Sequence, residues 1–263
     1  MIPLREEIPS PSLPELFRAG VVLRSQKTGH PSGFSISAAA SLAPREARLG
    51  VRLFSAHLGV PPDSLRTLRQ VHGTGILRRS RDEDGAAGPP VGDAHWTTDP
   101  DVVLLVYVAD CCPVVLADPA TGIYGVAHAG WRGTLGGIVP TLWKRLIEGG
   151  ARQESIRGWI GPCAGPDRYE VGSEVATRFL PGHPGAVRDH PSGEGRYLLD
   201  IRSVLRSQLR SCGMAEATLS VSEADTIGDH RYHSHRRDGV RAGRMPAYVM
   251  RRDHRSRDHR NGR

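Results

Sequence analysis

The chain has 263 residues, 38% hydrophobic and 24% charged, which is enough to bury a sizeable core as one large domain or two small ones. No stretch approaches the roughly 20 apolar residues of a membrane-spanning helix. The first residues, Met1 to Glu7, place proline and acids where a secretory signal has a basic then an apolar segment, so a soluble cytoplasmic protein is expected. The net charge of +7 is concentrated at the end of the chain: residues 251–263 hold six Arg and two Asp, or +4, leaving +3 for the rest. Nucleic acid is therefore not an expected partner of the body, beyond weak contacts of a basic tail.

Residues 1–20, rich in proline and charge, read as a loosely packed N-terminal segment, 21–250 as one domain, and 251–263 as a disordered basic tail. Within the domain, Pro44 to Gly59 has helical spacing of leucines, Leu65 to Val71 reads as a strand, and Arg78 to Gly92 as a loop. Asp101 to Asp118 is nearly continuous Val, Leu, Ala and Tyr, broken at Asp110-Cys111-Cys112-Pro113, and reads as buried sheet. A turn at Asp118 to Gly122 leads into a strand from Ile123 to His128. Leu135 to Ile147 is an amphipathic helix stopped by Gly149-Gly150, with a kink expected at Pro140. Ile156 to Ile160 reads as a strand, and Tyr169 to Leu180 and Leu199 to Cys212 as helices. This alternation lacks a strict strand–helix–strand rhythm and predicts an α+β fold with mixed sheets.

Three of these elements end in polar clusters: Gln70-Val71-His72-Gly73, Ala109-Asp110-Cys111, and His128-Ala129-Gly130-Trp131-Arg132-Gly133. Each sets a metal-capable side chain at a strand end beside small residues. The four cysteines, 111, 112, 163 and 212, show no CxxC and no disulfide framework. One His, one Cys and a second His match a catalytic zinc site with an open fourth position for water. Gaps of 39 and 17 residues fit no local zinc motif, so an inert thiol and ordinary histidines remain open readings on spacing alone. Arg132 precedes a helix, where backbone N–H groups and a guanidinium favour phosphate; packing on Trp131 is the alternative. Tyr232 to Gly239, followed by Gly243-Arg244-Met245, is dense in donors that suit ribose or phosphate and equally a solvated turn.

Taken in order along Leu65 to Met250, these residues resemble the bacterial laccase-domain or YfiH-like family, also called the polyphenol oxidase or purine nucleoside phosphorylase family. The resemblance runs through Gln-Val-His-Gly at 70–73, Asp93 to Thr98, Ala-Asp-Cys at 109–111 with Pro113, and His-Ala-Gly-Trp-Arg-Gly at 128–133. It continues at Gly161-Pro162, Tyr-Glu-Val-Gly at 169–172, Leu199-Asp200, Ser-His-Arg-Arg-Asp at 234–238 and Gly243-Arg244-Met245. It implies an α+β sandwich of mixed sheets flanked by helices, and one Zn2+ held by His72, Cys111 and His128. It also implies a purine nucleoside phosphorylase acting on adenosine, inosine and methylthioadenosine, with adenosine deaminase activity. Cys111, His128 and Arg132 would then be catalytic, with Gln70, Arg132, Ser234, His235 and Arg236 on nucleoside and phosphate, in a monomer or homodimer. The chain departs from the family pattern at Arg168 and Asp225, where cysteine is frequent, at Leu205 in place of asparagine, and over Arg24 to Ser37.

Two other chemistries compete. Cys111 with a histidine base would make a cysteine hydrolase or peptidoglycan-editing amidase. A copper-dependent phenol oxidase needs several metals and more paired histidines than this one triad offers.

Overall fold

The apolar run 101–118 folds as two strands that belong to different sheets, and the candidate ligand Cys111 lies at the corner between them. The computed structural model describes residues 7–9, 13–24, 44–83, 88–193 and 195–253. One sheet has five strands: β1 (Glu7–Pro9), β2 (Phe17–Val22), β3 (Leu65–Arg66), β6 (Val103–Val108) and β14 (Met245–Arg251), in the order β1-β2-β14-β6-β3. The second has six: β4 (Ile76–Arg78), β5 (Ala94–Thr97), β7 (Cys112–Asp118), β8 (Ile123–Ala129), β9 (Arg157–Ile160) and β13 (Leu219–Val221), in the order β13-β9-β7-β8-β5-β4. A small third sheet joins β10 (Glu170–Gly172), β11 (Val187–Asp189) and β12 (Arg196–Leu199). The β3–β6, β4–β5 and β9–β13 pairs are parallel and the others antiparallel, so both large sheets are mixed as the sequence predicts.

Side-chain alternation decides the layering. In β6, Leu104, Val106 and Val108 point to the core between the two large sheets, where they meet Val115 and Ala117 of β7 and Tyr124 and Val126 of β8. The opposite face of β6, Val103 and Leu105, packs on Phe54 and Leu58 of helix α1 (Pro44–Leu58). On the far side, Val114, Leu116 and Ala127 of the six-stranded sheet pack on α3 (Ile138–Glu148) and α5 (Ile201–Ser211). The result is a four-layer helix–sheet–sheet–helix sandwich. Leu205, one of the departures, is fully buried in this last core and works there as an apolar anchor.

Four expectations need correction. The first twenty residues are not loose throughout, because Phe17 and Ala19 are buried and β2 pairs with β14 inside the sheet. The strand from Leu65 stops at Arg66. The 135–147 helix is broken not at Pro140 but at Gly137, whose φ of 75° only glycine adopts freely, splitting off a short α2 (Trp131–Leu135). Pro140 falls in the first turn of α3, where its missing N–H costs no hydrogen bond. Tyr169 to Leu180 starts extended as β10 and becomes helical only in α4 (Ser173–Phe179). Of the basic tail, 254–263 lie outside the described residues, as do 25–37 of the Arg24–Ser37 segment. No helix among the described residues is long and apolar enough to cross a membrane.

His95 of β5 is fully buried, and desolvation, reinforced by Arg79, holds its imidazole well below the usual value of 6.5. The unfolded chain therefore takes up a proton below pH 6.5 that the folded chain refuses, and stability is lost as pH falls from there. Denaturant titrations at pH 7 and pH 5 should show a smaller loss between them for His95→Leu than for the parent chain.

Candidate metal centre

Asp93 precedes β5 and is fully buried. Its carboxylate accepts hydrogen bonds from three successive backbone N–H groups, those of Val71 (3.2 Å), His72 (2.9 Å) and Gly73 (2.7 Å). The same carboxylate holds Nδ1 of His128 at 2.9 Å. One acidic group thus fixes a loop that carries one histidine and the ring of another. His128 sits on β8 opposite Pro113 of β7, and its backbone N–H donates to the Asp93 carbonyl at 2.7 Å. With Nδ1 on Asp93, the Nε2 edge is left for the site.

The turn residues beside this centre have unusual backbones. His72 has a φ of 60° and Asp110 a φ of 82°, both in the left-handed region that costs a non-glycine residue energy. The Asp110 carboxylate accepts from the Thr226 hydroxyl at 2.7 Å and from the backbone N–H of Arg236 at 2.6 Å, tying the corner to the C-terminal loop. Gly130 completes the cradle. A Cβ there would lie 3.0 Å from Cys111 Sγ and 3.2 Å from His72 Cδ2, so any larger residue pushes against both.

His72, Cys111 and His128 converge as the sequence predicts, each offering one donor atom, with all three atoms within 4.8 Å of one another. The two imidazole rings are 4.8 Å apart and nearly perpendicular. One thiolate and two imidazoles are a donor set for a mononuclear soft-to-borderline metal ion. Burial alone would raise the Cys111 thiol, but His128 and His72 outweigh it and bring it down to about 6. Burial alone would lower His128, but Cys111 and Asp93 raise it to about 9. Asp93 is held below the ordinary carboxylate range by bonds from His128 and Gly73, against the opposing effect of burial. In the metal-free site Cys111 and His128 thus each favour the charged form of the other, thiolate beside imidazolium.

The centre opens into a cavity of about 680 Å³. Arg132, His235 and Arg236 line it, and the cavity brings them to within reach of the centre as expected. The Arg132 guanidinium stacks on Trp131 at 4.2 Å. Arg236 lies over the Tyr169 ring at 5.3 Å and donates to the Glu170 carbonyl at 2.8 Å. Gln70 also lines the cavity, but its amide is engaged with the Tyr107 backbone, accepting from its N–H at 2.7 Å and donating to its carbonyl at 2.9 Å. Ser234 is fully buried, away from the cavity lining, and caps the short helix α6 (His235–Asp238) by accepting from Arg237 N–H at 3.1 Å. It shapes the loop and is not placed to touch a ligand.

No sequence feature assigns a role to Asp93, or to Tyr107, Tyr169 and Arg69, which line the cavity; Arg244, from the donor-dense C-terminal cluster, lines it too. For Asp93 no local pattern signals its role; only the backbone turn at 71–73 shows it. Two of the departures are coupled: Arg168 Nε lies 3.1 Å from Asp225 Oδ2, so one ion pair links them.

The family described as multi-copper polyphenol oxidoreductase laccase matches residues 30–252. The chain belongs to this family. A Deinococcus radiodurans protein named purine nucleoside phosphorylase is 37% identical over 196 residues, 74% of this chain and 73% of that protein. A protein from an unknown prokaryotic organism named adenosine deaminase RL5 is 35% identical over 199 residues, 71% of this chain and 75% of that protein. The crystal structure of YlmD from Geobacillus stearothermophilus superposes with a TM-score of 0.82 at 28% identity, over 93% of this chain and 94% of that one. These relatives point to a nucleoside-processing enzyme acting on small molecules.

Since Asp93 orients both histidines, Asp93→Asn should weaken metal binding by about 10- to 100-fold, measured by competition with a chelator. In the metal-free protein, the thiolate absorbance lost in Cys111→Ser should titrate with a midpoint near pH 6.

Proposed function

We propose that the chain is a cytoplasmic zinc-dependent purine nucleoside phosphorylase that also deaminates adenosine. The observation that carries this reading is the convergence of His72, Cys111 and His128 beside a cavity whose wall presents arginines. Zinc suits that donor set, and when bound it supplies a Lewis acid and lowers the pKa of water. His72, Cys111 and His128 are the residues that would hold it.

The chain's own groups do the rest. Arg132, stacked on Trp131, presents a flat guanidinium whose N–H fork suits phosphate. In phosphorolysis, a phosphate oxygen forms the bond to the ribose carbon while the bond to the purine nitrogen breaks and the base departs with a proton. A gripped and oriented phosphate removes much of the entropic cost of that step. Burial raises the Tyr107 and Tyr169 phenols, which stay neutral and can donate to ribose or base. Arg236 and His235 border the same space and suit ribose hydroxyls. Gln70 acts indirectly, by fixing the strand that carries Tyr107.

A second reading is favoured by one specific observation. Cys111, His128 and Asp93 form the relay of a cysteine hydrolase, with His128 Nδ1 held by Asp93 at 2.9 Å. That relay does not need His72, whereas a metal site does. A copper phenol oxidase fits less well, because among the described residues this is the one group of three such donors.

Incubating the protein with adenosine, with and without inorganic phosphate, should give phosphate-dependent adenine release and phosphate-independent inosine. No turnover of any purine nucleoside would overturn the proposal. Cys111→Ser and His72→Ala should both lose zinc and both activities. If His72→Ala abolishes metal binding but spares the reaction, the hydrolase relay is the better account. Arg132→Ala should raise the KM for phosphate roughly tenfold or more and leave deamination nearly unchanged.

A further inference from the structure

The cavity contains more cationic capacity than a neutral nucleoside and one phosphate would use. Four arginines line it: Arg69, Arg132, Arg236 and Arg244. Its one lining carboxylate, Asp110, already accepts from Thr226 and Arg236. Arg244 donates to the carbonyls of Ala242 and Gly243, and Arg236 to that of Glu170. Among the described residues, the guanidiniums of Arg132 and Arg69 are engaged by no protein acceptor. Two uncommitted guanidiniums in one cavity with no free carboxylate favour two anionic groups.

Their positions separate them. Arg132 also borders a smaller adjoining chamber of about 280 Å³, together with Trp131, Tyr169 and Glu174, whereas Arg69 does not. Arg69 comes instead from the segment after β3, bridged to Val91 and neighbouring Thr67 and Pro89 on the lining. At 680 Å³ the cavity falls well inside the range of sites for drug-sized ligands of roughly 300–1,000 Å³, so a ligand larger than a bare nucleoside fits.

We propose that Arg69 forms a second anion subsite, so that the cavity accepts purine nucleosides carrying their own phosphate group. This rests on the nucleoside reading above and extends its substrate class from nucleosides to nucleoside monophosphates. Arg69 is exposed at the cavity wall, outside the candidate metal centre, so its removal leaves that centre intact.

The test is calorimetric binding of adenosine, adenosine monophosphate and inorganic phosphate to the intact protein in phosphate-free buffer, repeated with Arg69→Ala. The monophosphate should bind about tenfold or more tightly than adenosine, as a charge-assisted contact provides, and this gain should shrink with added salt. Arg69→Ala should remove the gain and leave adenosine binding unchanged. Equal binding of the two ligands, or a gain that survives Arg69→Ala, overturns the subsite. So does a gain matched by simply adding inorganic phosphate to adenosine, which assigns Arg69 to free phosphate. If adenosine fails to bind but the monophosphate binds through Arg69, the subsite stands and the nucleoside reading falls; if neither binds, both fall.

Discussion

A buried carboxylate is stable only when its charge is matched, and the candidate centre is organised around that requirement at Asp93. Three backbone N–H groups and an imidazole converge on it and satisfy the oxygens that burial removes from bulk solvent. The cost of burying the charge is offset only in this arrangement. The arrangement sets the loop at 71–73, and with it His72, and it fixes which edge of His128 faces Cys111. The geometry of the candidate metal centre is thus a consequence of satisfying one acid.

The sandwich provides the frame in which this is possible. β6 and β7 are consecutive in the chain yet lie in different sheets, so the chain must turn sharply at Asp110-Cys111. Strain at that corner is held by Thr226 and the N–H of Arg236, which come from the far end of the sequence. Cores on both faces of each large sheet, with fully buried Leu104, Leu105 and Leu116, make the strand ends rigid enough to hold three donors in place. His128 lies in β8 and Cys111 directly before β7, while the loop that carries His72 is fixed by its backbone bonds to Asp93, so the three donors are positioned without a ligand.

Much of this was legible in the sequence, for identifiable reasons. The 101–118 and 123–128 runs could be read because buried strands need uninterrupted β-branched and apolar residues. The triad could be read once its three clusters were taken together in order, since each keeps its small neighbours, Gly130 above all. The family resemblance places Gln70 and Ser234 on the ligand; in the fold the amide and the hydroxyl are both used by backbone groups. Asp93 was unreadable because three of its four partners are main-chain N–H groups, which nearly every residue has, and the fourth, His128, is 35 residues away in the chain. The break at Gly137 was masked by Pro140, whose position within the helix decides its effect.

The central claim is that one ion is bound by two imidazoles and one thiolate, held in register by Asp93. X-ray absorption at the metal edge of the purified, zinc-loaded protein tests it most directly. The account predicts one zinc per chain with one sulfur and two imidazole nitrogens in its first shell, the sulfur lost in Cys111→Ser. Two or more metals per chain, or a first shell without sulfur in the parent protein, would contradict it.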